Sequence, residues 1–249
     1  MTGGMSTLDI VIPCLNEEKQ LPLSLDKLLA FCQERMGGYQ WRIVVADNGS
    51  TDKTFAIAQE YGPKTGGRVH AIRLDQRGRG RALRRAWLES KADAVCYMDV
   101  DLSTGLEALP PLIEAVTTGG YDIAIGSRLA KGSKVEKRPL KREITSRGYN
   151  ILIKLTFFTR FSDAQCGFKA LNRAAADAIL PVTKDTGWFL DSEILIIGEK
   201  RGFKIKDIPV HWVDDPDTRV KVVQTAWRDI KGLMRLRFGG IPKVKKPSR

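Results

Sequence analysis

Three short runs carry the residues best able to do chemistry. Pro13-Cys14-Leu15-Asn16-Glu17-Glu18, Asp47-Asn48-Gly49-Ser50-Thr51-Asp52 and Asp99-Val100-Asp101 each follow directly on an apolar, β-branched stretch. Ligands of open α/β sheets bind beyond the carboxyl ends of strands, so these acidic positions converge on one edge of a sheet. Asp99 and Asp101 repel each other unless a cation lies between them. Oxygen donors with no histidine beside them suit Mg²⁺ or Mn²⁺, which commonly bridges to phosphate oxygens as well. Asp52 reads first as a helix cap. Other chemistries find little footing. There is no GxxxxGK[ST] loop, and Gly78-Arg79-Gly80 is a lone GxG that reads as a flexible turn at least as readily as a phosphate cradle. The two histidines lie away from the three runs, and Cys14, Cys32, Cys96 and Cys166 form no CxxC. A reduced, cytosolic setting fits that cysteine pattern.

Strands and helices must alternate to place these runs together. Leu8–Pro13, Trp41–Asp47, Arg68–Leu74, Asp93–Met98 and Tyr121–Gly126 read as strands, separated by helices over 17–36, 52–61, 79–90 and 105–117. That alternation predicts an α/β, Rossmann-like, mostly parallel sheet with helices on both faces. From Ser127 the pattern changes to a polar loop over 127–140, a helix over 142–159 and short elements at 168–171, 173–180 and 189–200. Lys204–Trp212 reads as one strand, which Pro209 places near an edge. Val220, Val223, Trp227, Ile230, Leu233, Met234 and Phe238 recur at helical spacing, giving a C-terminal amphipathic helix over 220–238. We expect one domain over 1–238, with a nucleotide-binding half at 8–126 and an acceptor half at 127–238, then a basic tail at 239–249.

The chain of 249 residues has a net charge of +12, concentrated in three places. Residues 77–85 (RGRGRALRR) carry +5, 128–160 carry +8 and 219–249 carry +9, so the remainder carries −10. An acidic body with local basic patches points to a localised anionic partner: nucleic acid, a phosphorylated small molecule or an anionic membrane surface. No apolar run reaches the ~20 residues of a membrane helix, and no secretory leader is visible at the start.

Taken in order, these runs resemble family 2 glycosyltransferases of the GT-A fold. Gly126-Ser127-Arg128, Arg142-x-x-x-Ser146-Arg147, Asp163-Ala164-Gln165-Cys166-Gly167-Phe168-Lys169 and Trp188-Phe189-Leu190-Asp191-Ser192-Glu193 are similar to the polyprenyl-phosphate sugar synthases. With Ile208-Pro209-Val210-His211-Trp212, they look most like dolichyl-phosphate β-glucosyltransferases, and next most like dolichyl-phosphate mannose synthases.

The resemblance implies roles. Pro13, Leu15, Glu17, Asp47 and Asn48 would line the nucleotide, although relatives commonly carry a second Asp at position 48. Asp99, Val100 and Asp101 would meet the diphosphate, with Asp99, Asp101 and Ser103 around Mg²⁺ or Mn²⁺. Arg128 and Arg142 would hold the acceptor's phosphate, and Arg219 would be a second cation on the diphosphate. Asp191, with Asp163 and Glu193, would orient the acceptor or sugar hydroxyls, or else cap and pair around Lys169. The implied reaction is inverting transfer from a nucleotide sugar, UDP-glucose or alternatively GDP-mannose, to polyprenyl phosphate. The acceptor stays in the membrane, so the expected location is cytoplasmic, peripheral on the cytoplasmic face, with the apolar stretch 149–158, helix 220–238 and the lysine-rich tail touching anionic lipid. The competing readings are a nucleic-acid-binding module built on RGRGRALRR and a catalytically idle membrane adaptor. No nucleic-acid partner is expected, because 77–85 interleaves no aromatic residue with its arginines.

Overall fold

The computed structural model describes residues 4–214 and 222–246. Seven strands form the main sheet: β1 (Thr7–Cys14), β2 (Gln40–Asp47), β3 (Val69–Arg73), β4 (Ala94–Met98), β5 (Ile123–Ser127), β7 (Phe168–Asn172) and β8 (Ile205–Pro209). They lie in the order β3-β2-β1-β4-β7-β5-β8. β7 runs antiparallel to both neighbours, and the other pairs are parallel. From β1 the chain moves outward through β2 and β3, then returns to lay β4 on the other side of β1. The strand ends diverge there and leave a crevice.

Alternation along the central strands builds two cores. Leu8, Ile10 and Ile12 of β1 join Ala94, Cys96 and Met98 of β4 on one face, with Leu21, Leu25 and Leu28 of α1 (Gln20–Arg35) and Leu109, Leu112 and Ile113 of α4 (Leu109–Thr117). Val11, Val95 and Tyr97 face the other way, toward Trp87 of α3 (Arg79–Glu89), Ile153 of α5 (Leu140–Phe157), Ile194 and Ile197 of α7 (Leu190–Lys200), and Leu233 and Leu236 of α8 (Val222–Phe238). Two covered faces account for strands with almost no polar residue, such as AVCYM.

Four expectations need adjustment. Lys204–Trp212 is two strands, because β8 ends at Pro209 on the sheet edge and the chain then turns into β9 (His211–Val213). β9 pairs with β6 (Lys134–Glu136), a short strand inside the segment read as loop. Leu106–Ala108 is a 3₁₀ turn, and α4 starts at Leu109, where Pro110 and Pro111 fall at positions that need no N–H donor. The basic tail does not hang free over 241–246. Ile241 and Val244 pack on the second core, and Lys246 Nζ lies 2.6 Å from the buried Asp122 carboxylate. Arg219, Val220 and Lys221 lie outside the described residues.

Candidate active site

The loops after β1 and β2 are welded together. Asn16, with φ +56°, accepts the Thr51 N–H at 2.9 Å, and its own N–H donates to Ser50 Oγ at 2.9 Å. Glu17 N–H donates to Thr54 Oγ1 at 2.7 Å. Asp52 takes the Thr54 N–H and the Glu18 N–H, so it caps the start of α2 (Thr54–Lys64) and ties the neighbouring loop to it. Pro13, Leu15 and Glu17 are half-buried on this crevice wall, whereas Asp47 is wholly buried. Asn48 spends its side-chain carbonyl on the Gly78 N–H at 2.6 Å. The Gly78-Arg79-Gly80 turn is therefore a packed element. A β-carbon at Gly78 or Gly80 would stand 2.6 Å from the carbonyl of Thr186 or Gly187.

That turn presents Arg79, which sequence reasoning left without a task. Its side chain is 9% exposed and bridges two carboxylates, Asp99 Oδ1 at 2.9 Å and Asp191 Oδ2 at 2.8 Å. The guanidinium lies 4.8 Å from the Tyr97 ring centroid and 4.4 Å from that of Trp188. Asp191, in the first turn of α7, also meets Lys169 Nζ at 3.1 Å and the Tyr97 hydroxyl. Lys169 and Tyr97 face each other across the antiparallel β4–β7 pair, so insertion of β7 brings that buried cation here. Burial alone would raise the Asp191 carboxyl, but Lys169, Arg79 and the Tyr97 hydroxyl outweigh it and hold it below its ordinary range. Asp191 is thus a buried member of a charged framework with Arg79, Lys169 and Tyr97.

Asp99, Val100 and Asp101 form a turn immediately after β4. Leu102 N–H returns to the Asp99 carbonyl at 3.1 Å, Leu102 takes φ +51°, and Asp101 Oδ1 accepts the Ser103 N–H at 2.9 Å. The Asp99 side chain is 39% exposed. One of its oxygens is fixed by Arg79, and the other lies over Gly167, where a β-carbon would come within 1.8 Å. Asp99 and Asp101 thus offer oxygen donors at the crevice. Among the described residues no third His, Cys, Asp or Glu joins them in a metal-binding group. Two carboxylates fit a hard divalent cation that takes its remaining ligands from diphosphate and water. Gly167→Ala tests this arrangement: the Asp99 carboxylate must swing away from its position beside Arg79, so Mn²⁺ affinity should fall at least about tenfold, as for loss of a supporting contact. Unaltered Mn²⁺ binding by calorimetry would contradict it.

On the far side of this turn lies a second set of cations. Arg128 Nε and Nη2 make a fork to Asp163 at 2.8 and 3.0 Å. Burial would raise Asp163, but Arg128 prevails and holds it at about 2. Arg142 Nη1 meets Asp214 Oδ1 at 2.6 Å. Both arginines expected at the acceptor phosphate therefore engage carboxylates. Trp212 of β9 lies beneath Arg128 and Arg138, with guanidinium-to-centroid distances of 5.2 and 5.7 Å. β9 is bound to the Asp101 turn, since Val213 N–H donates to the Ser103 carbonyl at 2.9 Å. Glu193 is also taken: it receives the N–H groups of Lys184 and Asp185 and meets Arg235 at 3.0 Å. Arg79, Tyr97 and Trp212 are the site-forming residues whose places were not read from the sequence, whereas Lys169, named there as an alternative partner of Asp191, pairs with it. A basic string and two short strands give no sign of which carboxylates they meet.

Comparison with known proteins agrees with this layout. Residues 9–180 match the family model described as glycosyl transferase family 2. The chain is 34% identical over 232 residues to glycosyltransferase AglD of Haloferax volcanii, covering 93% of this chain but only 36% of that longer relative. It is 30% identical over 248 residues to the dolichyl-phosphate beta-glucosyltransferase of Saccharomyces cerevisiae, covering 93% of this chain and 74% of that one. The solved structure of Mycobacterium tuberculosis glucosyl-3-phosphoglycerate synthase with UDP superposes with a TM-score of 0.69 at 19% identity, over 96% of this chain and 82% of that one. The sheet is thus of the GT-A type. With the carboxylate turn at its switch point and a family match over most of its length, the chain belongs to glycosyl transferase family 2.

Proposed function

We propose that this chain moves glucose from UDP-glucose to the phosphate of a dolichyl-type polyprenyl phosphate, with inversion, on the cytoplasmic face of a membrane. The observation that carries the reading is the turn holding Asp99 and Asp101 at the end of β4, with Arg79 2.9 Å from Asp99, in a chain of glycosyl transferase family 2. Similarity to the yeast dolichyl-phosphate beta-glucosyltransferase supports the choice of sugar and acceptor.

The chemistry needs little from a general base, because a phosphate monoester is already ionised near neutral pH. An acceptor phosphate oxygen bonds to the anomeric carbon as the carbon–oxygen bond to the diphosphate breaks, and the electron pair leaves with the nucleoside diphosphate. A divalent cation on Asp99 and Asp101 would supply Lewis-acid neutralisation of that diphosphate. Arg79 adds fixed positive charge on the leaving side, held in place by Asp191, Trp188 and Tyr97. Arg128 and Arg142 would hold the acceptor's phosphate, with Asp163 and Asp214 setting their orientation. Arg219 would add a cation to the diphosphate.

Peripheral attachment has a visible candidate surface. No helix among the described residues is long and apolar enough to cross a membrane. α5 exposes Leu140, Ile144, Ile151 and Leu155 along one stripe, ending in Phe158, and α8 exposes Trp227, Ile230, Met234 and Phe238 beside Arg228, Lys231 and Arg237. Apolar burial with basic flanks is the combination that holds a protein at an anionic bilayer. The cytoplasmic side is supported by four buried free cysteines.

The direct test is transfer of labelled sugar to a short polyprenyl phosphate from UDP-glucose and, in parallel, GDP-mannose, with Mn²⁺ and with EDTA. We expect glucose transfer that EDTA abolishes. A product only from GDP-mannose would replace the donor, and no lipid-linked product from either would overturn the reading. In vesicle sedimentation, Leu155→Glu with Phe158→Glu should weaken partitioning into anionic vesicles by about tenfold or more, from loss of buried apolar area. Partitioning equal to wild type would remove α5 from the docking surface.

A further inference from the structure

We infer that the cleft between α8 and the 184–189 loop is a second ligand site, selective for a phosphorylated polyol, meaning a phosphate ester that also carries free hydroxyl groups. The cleft has a volume of about 610 Å³, within the range of small-molecule sites. Arg77, Lys184, Arg228, Lys231 and Arg235 line it, against only Asp185 and Asp229. Glu193 engages Arg235. The side chains of Arg77, Lys184 and Arg228 make no hydrogen bond or ion pair among the described residues, so three cations on three different segments face one space.

Asp229 adds the second half of the recognition. It is 3% exposed and lines the cleft. Among the described residues its Oδ2 has a single donor, Gln165 Nε2 at 3.3 Å, and its Oδ1 has no partner. A buried carboxylate oxygen without a donor is costly, and a ligand hydroxyl would satisfy it. Burial, reinforced by Asp185 and Asp191, pushes this carboxyl up to about 7. Cations alone would select any anion, whereas cations with a buried acceptor select an anion that also donates. Trp188 supplies a flat wall. Its ring carries Arg79 at one side and is 42% exposed, which leaves ring surface for a cyclic polyol. Trp188, which lines the cleft, stacks on Arg79, and Arg79 pairs with Asp99 and Asp191, so the cleft meets the Asp99 turn through this contact chain and does not include Asp99 or Asp101 in its lining.

A phosphorylated polyol exists both as a free ester and as a lipid headgroup, and the apolar residues of α8 beside the cleft are compatible with the second source. The full chain is titrated calorimetrically with myo-inositol 1-phosphate and with inorganic phosphate, and sedimented with phosphatidylcholine vesicles containing or lacking phosphatidylinositol 4-phosphate. Saturable binding of the free ester assigns the soluble source. Binding confined to vesicles with the phosphorylated headgroup assigns the lipid source. Arg228→Glu, at an exposed position, should weaken either by about tenfold or more, the effect of a lost charge-assisted hydrogen bond. Asp229→Asn should reduce inositol phosphate affinity several-fold and leave that of inorganic phosphate unchanged, a split that general damage to the fold would not produce. Absence of binding in both arms overturns the inference. So does equal affinity of wild type and Arg228→Glu, or one-for-one displacement of the probe by UDP with Mn²⁺, which would make the cleft part of the donor site.

Discussion

Asp101→Ala will lower glucosyl transfer by about a thousandfold or more, on the order of 4 kcal/mol of transition-state stabilisation, and leave the protein folded. The Asp101 turn projects from the end of β4 into the crevice, and the wholly buried β4 behind it does not depend on this side chain. Its Oδ1 holds the Ser103 N–H, so alanine loosens the turn locally. What alanine removes is one of two carboxylates available to a divalent cation, and negative charge develops on the diphosphate as the glycosidic bond breaks. Loss of rate should therefore accompany loss of Mn²⁺ affinity by calorimetry, with an unchanged circular dichroism spectrum. Full transfer by Asp101→Ala, or transfer lost with Mn²⁺ affinity intact, would sink the assignment. Asp99→Ala is a less clean variant because it also strips Arg79 of a partner.

The contrast between those two carboxylates shows where sequence reading succeeded and where it ran out. Five apolar runs, three of them ending in acidic residues, located the crevice, since alternation of strands and helices leaves few topologies and the switch point follows from them. The positions of β1 to β5 were legible to within a residue or two, because a short run such as AVCYM, apolar at every position, suits a strand covered on both faces. Partnerships at long range were not legible. Arg128 and Arg142 have the side-chain type that suits a phosphate, and the structure gives each a carboxylate 35 or 72 positions away. β7 was visible as an apolar run, but nothing local announces that it inserts antiparallel between β4 and β5 and carries Lys169 beside Asp191. The basic string 77–85 looked like a patch for an external polyanion, yet folding distributes it. Arg79 enters the site, Arg84 Nε binds the Leu180 carbonyl at 3.0 Å, and Arg85 pairs with Glu89 at 2.8 Å. Net charge along a sequence records composition, whereas the field at a site depends on which of those charges are already neutralised nearby.

Arg79→Leu should be the most damaging single substitution in this framework, destabilising the protein by roughly 3–5 kcal/mol and suppressing transfer as well. The wild-type guanidinium contacts Asp99 and Asp191 through different nitrogens while stacked between Tyr97 and Trp188. Leucine fills part of the volume but leaves Asp191 buried with Lys169 as its one cationic partner among the described residues, and the desolvation cost of its charge is no longer offset. Arg79→Lys should rescue only part of the loss, because an ammonium on a flexible stem cannot reproduce the planar fork between two carboxylates. The acid response supplies a sign that separates electrostatics from packing. In wild type the Asp191 carboxyl is held down, so its contribution is present above the unfolded carboxylate range and disappears as pH falls. In Arg79→Leu that carboxyl keeps Lys169 but loses the second cation that holds it down, so the stability gap between variant and wild type should narrow on acidification toward pH ~4. Adding Asp191→Asn to Arg79→Leu should not recover the loss, since wholly buried Lys169 would then keep, among the described residues, only the Cys166 carbonyl and no carboxylate. Urea denaturation of wild type, Arg79→Leu, Arg79→Lys, Asp191→Asn and the double variant at neutral and mildly acidic pH measures each quantity. A single variant within about 0.5 kcal/mol of wild type, the range of ordinary surface changes, would show that Asp191 does not depend on Arg79. Strict additivity in the double variant would show that the two residues are not coupled.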